Sequence, residues 1–209
     1  MGPTGAFEST VFVVDDDAAM RDSLRWLLQS IGLAVESYAS AEEFLGRYAE
    51  DQPGCLVLDV RMPGMSGLTL QETLVARGVT LPVIVITGYG EVPTAVRALK
   101  AGALDFIEKP FNDDVLLERV RQALDKDRTA RAARSKQTEA RARFAQLTAR
   151  EREVMELVTA GKANKVIAAE LGLSPKTVEV HRANVMRKME ADSVAELVRL
   201  AMLLSENPH

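Results

Sequence analysis

Apolar and polar positions alternate in blocks along the first half of this chain. Val11-Phe12-Val13-Val14 is a short apolar run closed by Asp15-Asp16-Asp17. Leu33 to Tyr38, Cys55 to Asp59, Pro82 to Thr87 and Leu104 to Glu108 are four more such runs. Short apolar runs bounded by turn residues predict buried strands of a parallel sheet. Between them the period lengthens. Met20, Leu24, Leu27, Leu28 and Ile31 form the stripe of a half-buried helix, with Gly32 as its left-handed cap. Ser40 caps a short helix through Phe44, Leu45 and Tyr48, and Ser66 opens one through Leu68, Leu70 and Leu74. Pro93 starts a helix through Val96 and Leu99 that ends at Ala101-Gly102. Asn112 or Asp113 caps the last, through Val115, Leu116, Leu117, Val120 and Leu124. Five strands alternating with five helices predict an α/β fold, a doubly wound five-stranded parallel sheet. The Lys109-Pro110 bond is a candidate for the cis form.

The pattern changes twice more. Residues 125–146 are dominated by Ala and Arg, with almost no large apolar residue before Phe144, and predict an exposed helix that frays somewhere. No regular heptads support a coiled coil. Order restarts at Leu147. Thr148 and Glu151 form a capping box ahead of Val154, Met155, Leu157 and Val158, closed by Gly161. A second helix runs from Ala163 to Leu171. After Gly172-Leu173, Ser174 caps and Pro175 opens a third that reaches about Met189. A fourth spans about Ser193 to Leu204. The tail is therefore an all-α four-helix unit on the helix-turn-helix plan. The resulting organisation is a loose tail at 1–9, an α/β domain at 10–124, a helical linker at 125–146 and the helix-turn-helix domain at 147–209.

Composition narrows the class. Of 209 residues, 47% are hydrophobic and 27% charged, as in ordinary globular proteins. No run approaches the ~20 apolar residues of a membrane span, and Met1-Gly2-Pro3-Thr4-Gly5 is not a secretory signal. Cys55 is the single cysteine, so no disulfide framework exists within the chain, and a cytoplasmic location is expected. The net charge of −4 hides a gradient. Residues 1–124 hold 10 basic and 18 acidic groups, a net of −8; residues 125–146 hold 7 and 3, a net of +4; residues 147–209 hold 9 and 9. Two partners of different charge are implied.

A doubly wound sheet carries its chemistry at the carboxyl ends of its strands. Asp15 and Asp16 end the first strand, Asp59 the third, Thr87 the fourth and Lys109 the fifth. Any one of these has a simpler explanation as a cap, a β-former or a loop lysine. Together they point to a site. Three carboxylates within ~4 Å would repel by roughly 4 kcal/mol per pair at an effective dielectric of 20. Either one stays protonated or a cation joins them. All-oxygen donors favour a hard ion such as Mg²⁺. With Thr87 and Lys109 opposite, the set forms a phosphoryl clamp in which Asp59 is the nucleophile and becomes an acyl phosphate.

Val13-Val14-Asp15-Asp16-Asp17, Leu58-Asp59-Val60-Arg61-Met62-Pro63-Gly64-Met65-Ser66-Gly67, Thr87-Gly88 and Lys109-Pro110-Phe111 resemble the receiver domain of two-component response regulators, a flavodoxin-like fold. The resemblance implies that Asp59 accepts phosphate from a histidine kinase. It implies that Asp15, Asp16, Asp59 and the backbone carbonyl of Arg61 hold Mg²⁺. Thr87 would bond the phosphoryl group and Lys109 would pair with it. The aromatic switch position is Phe106, which has no hydroxyl, so its coupling to Thr87 works by packing. The face made by residues 92–101, 105–108 and 112–124 is implied to pair receivers into a homodimer on phosphorylation. Kinases of this family grip the first helix, which makes Met20, Ser23 and Trp26 candidate docking residues. Arg61 and Tyr89 flank the site as candidate gates for water and for slow self-dephosphorylation.

In the tail, Val178, Val185 and Met189 share one face of the third helix. Lys176, Thr177, Glu179, Val180, Arg182, Ala183 and Asn184 remain for the others, a mixture suited to the major groove of double-stranded DNA. Residues 174–190 hold four basic and two acidic side chains, so positive charge concentrates there. Residues 147–154, 164–168 and 174–182 resemble the LuxR-type DNA-binding domain. The whole chain then resembles a FixJ/NarL-family transcriptional regulator, nearest in motif to the FixJ and StyR branch, with RNA polymerase a further candidate partner. Two other functions compete. A haloacid-dehalogenase-like phosphohydrolase would use Asp15 as nucleophile, since Asp15-x-Asp17 mimics its first motif. A protein-interaction adaptor would have a tail that never meets DNA.

Overall fold

Alternate residues of each predicted strand go to opposite faces of one sheet, and both faces are covered. The computed structural model describes residues 9–49, 51–88 and 92–205. The expected loose tail at 1–9 lies outside them, except for its last residue. The strands are β1 (Thr10–Val14), β2 (Ala34–Tyr38), β3 (Gly54–Asp59), β4 (Val83–Thr87) and β5 (Asp105–Glu108). They alternate with α1 (Ala18–Ser30), α2 (Ala41–Arg47), α3 (Gly67–Ala76), α4 (Val92–Lys100) and α5 (Asp113–Ala145). All pairings are parallel, in the order β2-β1-β3-β4-β5. Phe12, Val14, Leu56, Leu58, Val83 and Val85 build one apolar layer with α2, α3 and α4. Val11, Val13, Cys55, Val57, Ile84, Ile86 and Ile107 build the other with α1 and α5. Cys55 is buried there, which pushes its thiol pKa far up and leaves it an inert small hydrophobe.

Register brings the strand ends together. Val14 pairs with Leu58, Asp59 with Ile86 and Thr87 with Glu108, so Asp15, Asp59, Thr87 and Lys109 finish on one edge. The first helix is capped by Asp17, whose carboxylate accepts from the Ala19 N–H at 2.9 Å. That leaves Asp15 and Asp16 available for other work. Gly67 lets α3 start against the site, because a Cβ there would lie 2.0 Å from the Asp59 carbonyl oxygen. Lys109-Pro110 is cis.

The linker differs from expectation. α5 runs without a break through 33 residues, with no Gly or Pro to stop it, so the expected fraying is not seen. Its second half is not uniformly exposed either. Asp127 and Ala140 are buried, each against a different unit. The chain divides into one unit of residues 1–130 and another of residues 131–209, so the linker is shared between them.

The second unit holds α6 (Ala149–Thr159), α7 (Asn164–Leu171), α8 (Pro175–Met189) and α9 (Val194–Ser205). The Thr148–Glu151 capping box is formed, Ser174 caps α8, and Pro175 is its first residue. Val178, Val185 and Met189 enter a core with Val154, Met155, Val158, Ile167 and Leu197.

Candidate functional site

The acidic edge is buried and tightly bonded. Asp15 is 1% exposed and Asp59 5%. Lys109 Nζ donates to Asp15 Oδ2 and to Asp59 Oδ1, both at 2.8 Å. The Arg61 N–H donates to the second Asp59 oxygen at 2.7 Å, and the Asp17 N–H to Asp15 Oδ1 at 2.8 Å. Burial pushes the Asp59 carboxyl pKa up against the pull of Lys109. Burial also pulls the Lys109 pKa down, but the two carboxylates outweigh it and raise it overall. Two carboxylates with one ammonium leave one surplus negative charge in a dry edge.

Asp16 is exposed, and among the described residues no three acidic, imidazole or thiol groups stand at metal-binding spacing. The expected crowd of three carboxylates is therefore a buried pair bridged by Lys109, with Asp16 outside it. Lys109 offsets the repulsion between the two carboxylates, a task expected of a metal ion. The donor set still fits a hard cation: oxygen only, with surplus negative charge. Thr87 is 1% exposed, and its carbonyl accepts from the Lys109 N–H at 2.7 Å. Phe106 is half-buried beside Val85 and packs on the α2–α4 layer. Tyr89 lies outside the described residues.

Arg21 is a further residue of the site that the pattern of strand ends does not reveal. Its guanidinium donates to the carbonyls of Asp15 at 2.7 Å and Asp16 at 2.9 Å, which holds the acidic loop in place. No local spacing marks it, because both of its acceptors are backbone carbonyls.

On the neighbouring face, Met20, Ser23, Leu24 and Leu27 of α1 meet Lys109, Pro110, Phe111 and Asp113 around a cavity of about 170 Å³. Trp26 is 76% exposed on the same helix. Val96, Leu99 and Val115 are also exposed.

On α8, Lys176, Glu179, Val180 and Ala183 are exposed, while Thr177, Arg182 and Asn184 are half-buried. Arg182 donates to Asn164 Oδ1 at the start of α7, at 3.0 Å, and the Thr177 N–H is held by the Ser174 cap at 3.0 Å.

Residues 11–121 match the response regulator receiver domain, and residues 145–201 match the bacterial regulatory proteins of the luxR family. The transcriptional regulatory protein FixJ of Azorhizobium caulinodans is 50% identical over 198 residues, covering 95% of this chain and 94% of its own. The response regulator protein TodT of Pseudomonas putida is 43% identical over 199 residues, covering 95% and 88%. The solved response regulator StyR superposes with a TM-score of 0.85 at 47% identity, covering 93% of this chain and 98% of its own. The chain belongs to the FixJ family of LuxR-type response regulators.

As a FixJ-family regulator it joins a receiver to a LuxR-type DNA-binding domain and acts in transcription, not as a catalyst. The phosphohydrolase reading falls with this, and the adaptor reading gives way to the luxR match in the tail. The receiver implies a histidine kinase as partner. Among the described residues no helix is long and apolar enough to cross a membrane.

Proposed function

We propose that Asp59 is the phosphoryl acceptor and that its modification switches the tail between weak and strong promoter binding. The observation that carries this is Lys109, whose ammonium stands 2.8 Å from both Asp15 and Asp59. It neutralises a buried nucleophile that its surroundings would otherwise protonate. An Asp59 oxygen attacks the phosphorus of a kinase phosphohistidine. The new O–P bond forms as the N–P bond breaks, and the imidazole leaves with the electron pair. Asp15, Asp16, Asp59 and the Arg61 carbonyl would hold Mg²⁺, which when bound offsets phosphoryl charge. Thr87 donates to a phosphoryl oxygen and Lys109 pairs with another. Phe106 then repacks, and the exposed Val96, Leu99 and Val115 support pairing of two receivers into a dimer.

The cavity beside Met20 and Ser23, with Trp26 near it, supports kinase docking on α1. Lys176, Thr177, Glu179, Val180, Arg182, Ala183 and Asn184 face the DNA major groove as α8 enters it. A cytoplasmic protein that meets RNA polymerase at promoters and loses its phosphate slowly by itself completes the reading. Labelling with radioactive acetyl phosphate tests the acceptor. The wild type takes up label and Asp59→Asn does not; label retained in Asp59→Asn sinks the proposal. Sedimentation with and without a phosphoryl mimic tests the dimer, and an unchanged dimer fraction refutes it.

A further inference from the structure

Residues 131–144 lie outside both family matches, yet they belong to the compact DNA-binding unit. Gln137 Nε2 donates to the Leu203 carbonyl at 3.0 Å, and Ala140 is fully buried. One turn on, the Arg143 guanidinium pairs with Glu190 Oε2 at 2.8 Å and reaches the Met189 carbonyl at 3.5 Å. Lys188 donates in the opposite direction, to the Gln146 carbonyl at 3.2 Å. The end of α5 and the last turn of α8 are thus tied side chain to backbone in both directions.

Glu190 makes this tie unusual. It closes α8 with φ 52, in the left-handed region that helix ends normally give to glycine. Its backbone N–H is spent on the Arg187 and Met186 carbonyls, as any residue's would be. Only its side chain distinguishes it from glycine, and that side chain is on Arg143. Along its length α8 is seated by Val178, Val185 and Met189, which lie on a single stripe. Off that stripe Arg182 is bonded to Asn164 of α7 and Lys188 to Glu151 of α6, so the roll of the helix is set by side-chain ties at several points. The Arg143 pair adds a tie at the very end of α8, at Glu190 and the Met189 carbonyl, which restrains the roll there.

We propose that Arg143 is a positioning residue for DNA recognition. Through Glu190 and the Met189 carbonyl it completes the fixing of α8's roll, and hence which of Glu179, Val180 and Arg182 reach base edges. The proposal rests on α8 being the recognition helix. It makes the end of α5 part of the reading head, and any displacement of that end a change in sequence preference.

The test uses the full chain and two duplexes: one selected by the wild type from a random library, and the same bases shuffled. Fluorescence anisotropy over a salt series gives the affinity ratio and the salt slope. Arg143→Ala lowers the selected-to-shuffled ratio by about tenfold and leaves the salt slope unchanged, because no phosphate contact is lost. Glu190→Gly lowers the ratio as well, although glycine suits the left-handed position and its melting temperature does not fall. Loss of specificity without loss of stability is what a merely structural role does not produce. Ratios within about twofold of wild type in both variants overturn the proposal. So does a salt slope reduced by about one unit in Arg143→Ala, which makes Arg143 a phosphate contact. A wild-type slope and ratio retained when Lys176 and Arg182 are both replaced by Ala overturns the recognition-helix reading itself, and the proposal with it.

Discussion

The Asp127 carboxylate accepts the backbone N–H of Gly54 at 3.0 Å, across 73 positions of sequence. Gly54 opens β3, where a Cβ would lie 1.9 Å from the Thr10 carbonyl oxygen, so no other residue fits. Asp127 is 3% exposed and lies beyond the last residue matched to the receiver family. The receiver therefore includes the first turn of what reads as linker. Asp127→Ala leaves a buried N–H without its acceptor and is expected to cost about 1–3 kcal/mol. Asp127→Asn keeps an acceptor and costs less. Urea unfolding followed by Trp26, the only tryptophan and a receiver residue, measures both. Equal midpoints for wild type and Asp127→Ala would show the bond to be idle.

That bond also marks the limit of what the sequence displays. Asp15, Asp59, Thr87 and Lys109 are legible because each stands at the end of an apolar run, and parallel register carries run ends to one edge. The Thr148–Glu151 box and the Val178–Val185–Met189 stripe are legible because both rest on fixed local spacing. Arg21 and Asp127 are not, because their partners are backbone carbonyls and an N–H, which no letter of the sequence distinguishes. Asp127 and Ala140 sit in an Ala- and Arg-rich segment whose composition reads as solvated. Their burial comes from tertiary packing of a helix that propensity alone already explains. The bridging of Asp15 to Asp59 by Lys109 was half legible: the charges were visible, but not which of the acids the lysine would take.

Asp59 carries a stability cost that follows from its task. Burial raises its folded-state pKa above the ordinary carboxylate value. Below that ordinary value the group is protonated in both folded and unfolded chains, and nothing is lost. As pH rises through the raised folded value, the folded state must give up a proton that the unfolded chain has already released, and stability falls. Asp59→Asn removes the cost. In EDTA at neutral pH its melting temperature is expected to exceed that of wild type by about 2–6 °C, with the gap closing in acid. Thermal melts across about pH 4 to 8 check this. A variant less stable than wild type at neutral pH contradicts it.

Glu151 works with the opposite sign. It is 3% exposed, accepts from Lys188 Nζ at 2.6 Å and closes the capping box on the Thr148 N–H at 2.9 Å. Lys188 and then the Thr148 N–H hold its pKa below the ordinary carboxylate value. Its contribution is therefore complete above that ordinary value and is lost as pH falls through the lowered folded value. Glu151→Gln keeps the cap geometry but not the charge, and should flatten the acid limb of the DNA-binding unit's stability. Glu151→Ala loses both and costs about 1–2 kcal/mol at neutral pH. Circular dichroism melts of the full chain between about pH 3 and 7 separate the two. An acid limb unchanged in Glu151→Gln assigns that limb to another group.

Lys176 and Arg182 are both expected on DNA, but their surroundings assign them different work. Lys176 is exposed on the first turn of α8, whereas Arg182 is half-buried and held by Asn164 Oδ1 at 3.0 Å. A free ammonium at a helix start neutralises phosphate without regard to sequence. A guanidinium aimed by a neighbouring helix is suited to a base edge. Lys176→Ala should weaken selected and shuffled duplexes alike and lower the salt slope by about 0.9. Asn164→Ala removes no cation, so the slope should hold while the selected duplex alone loses about 1 kcal/mol, because Arg182 is no longer aimed. Arg182→Ala should lose about 1–3 kcal/mol on the selected duplex. Anisotropy titrations over the same salt series distinguish all three. If Asn164→Ala binds both duplexes as the wild type does, Arg182 aims itself and its bond to α7 serves only the fold.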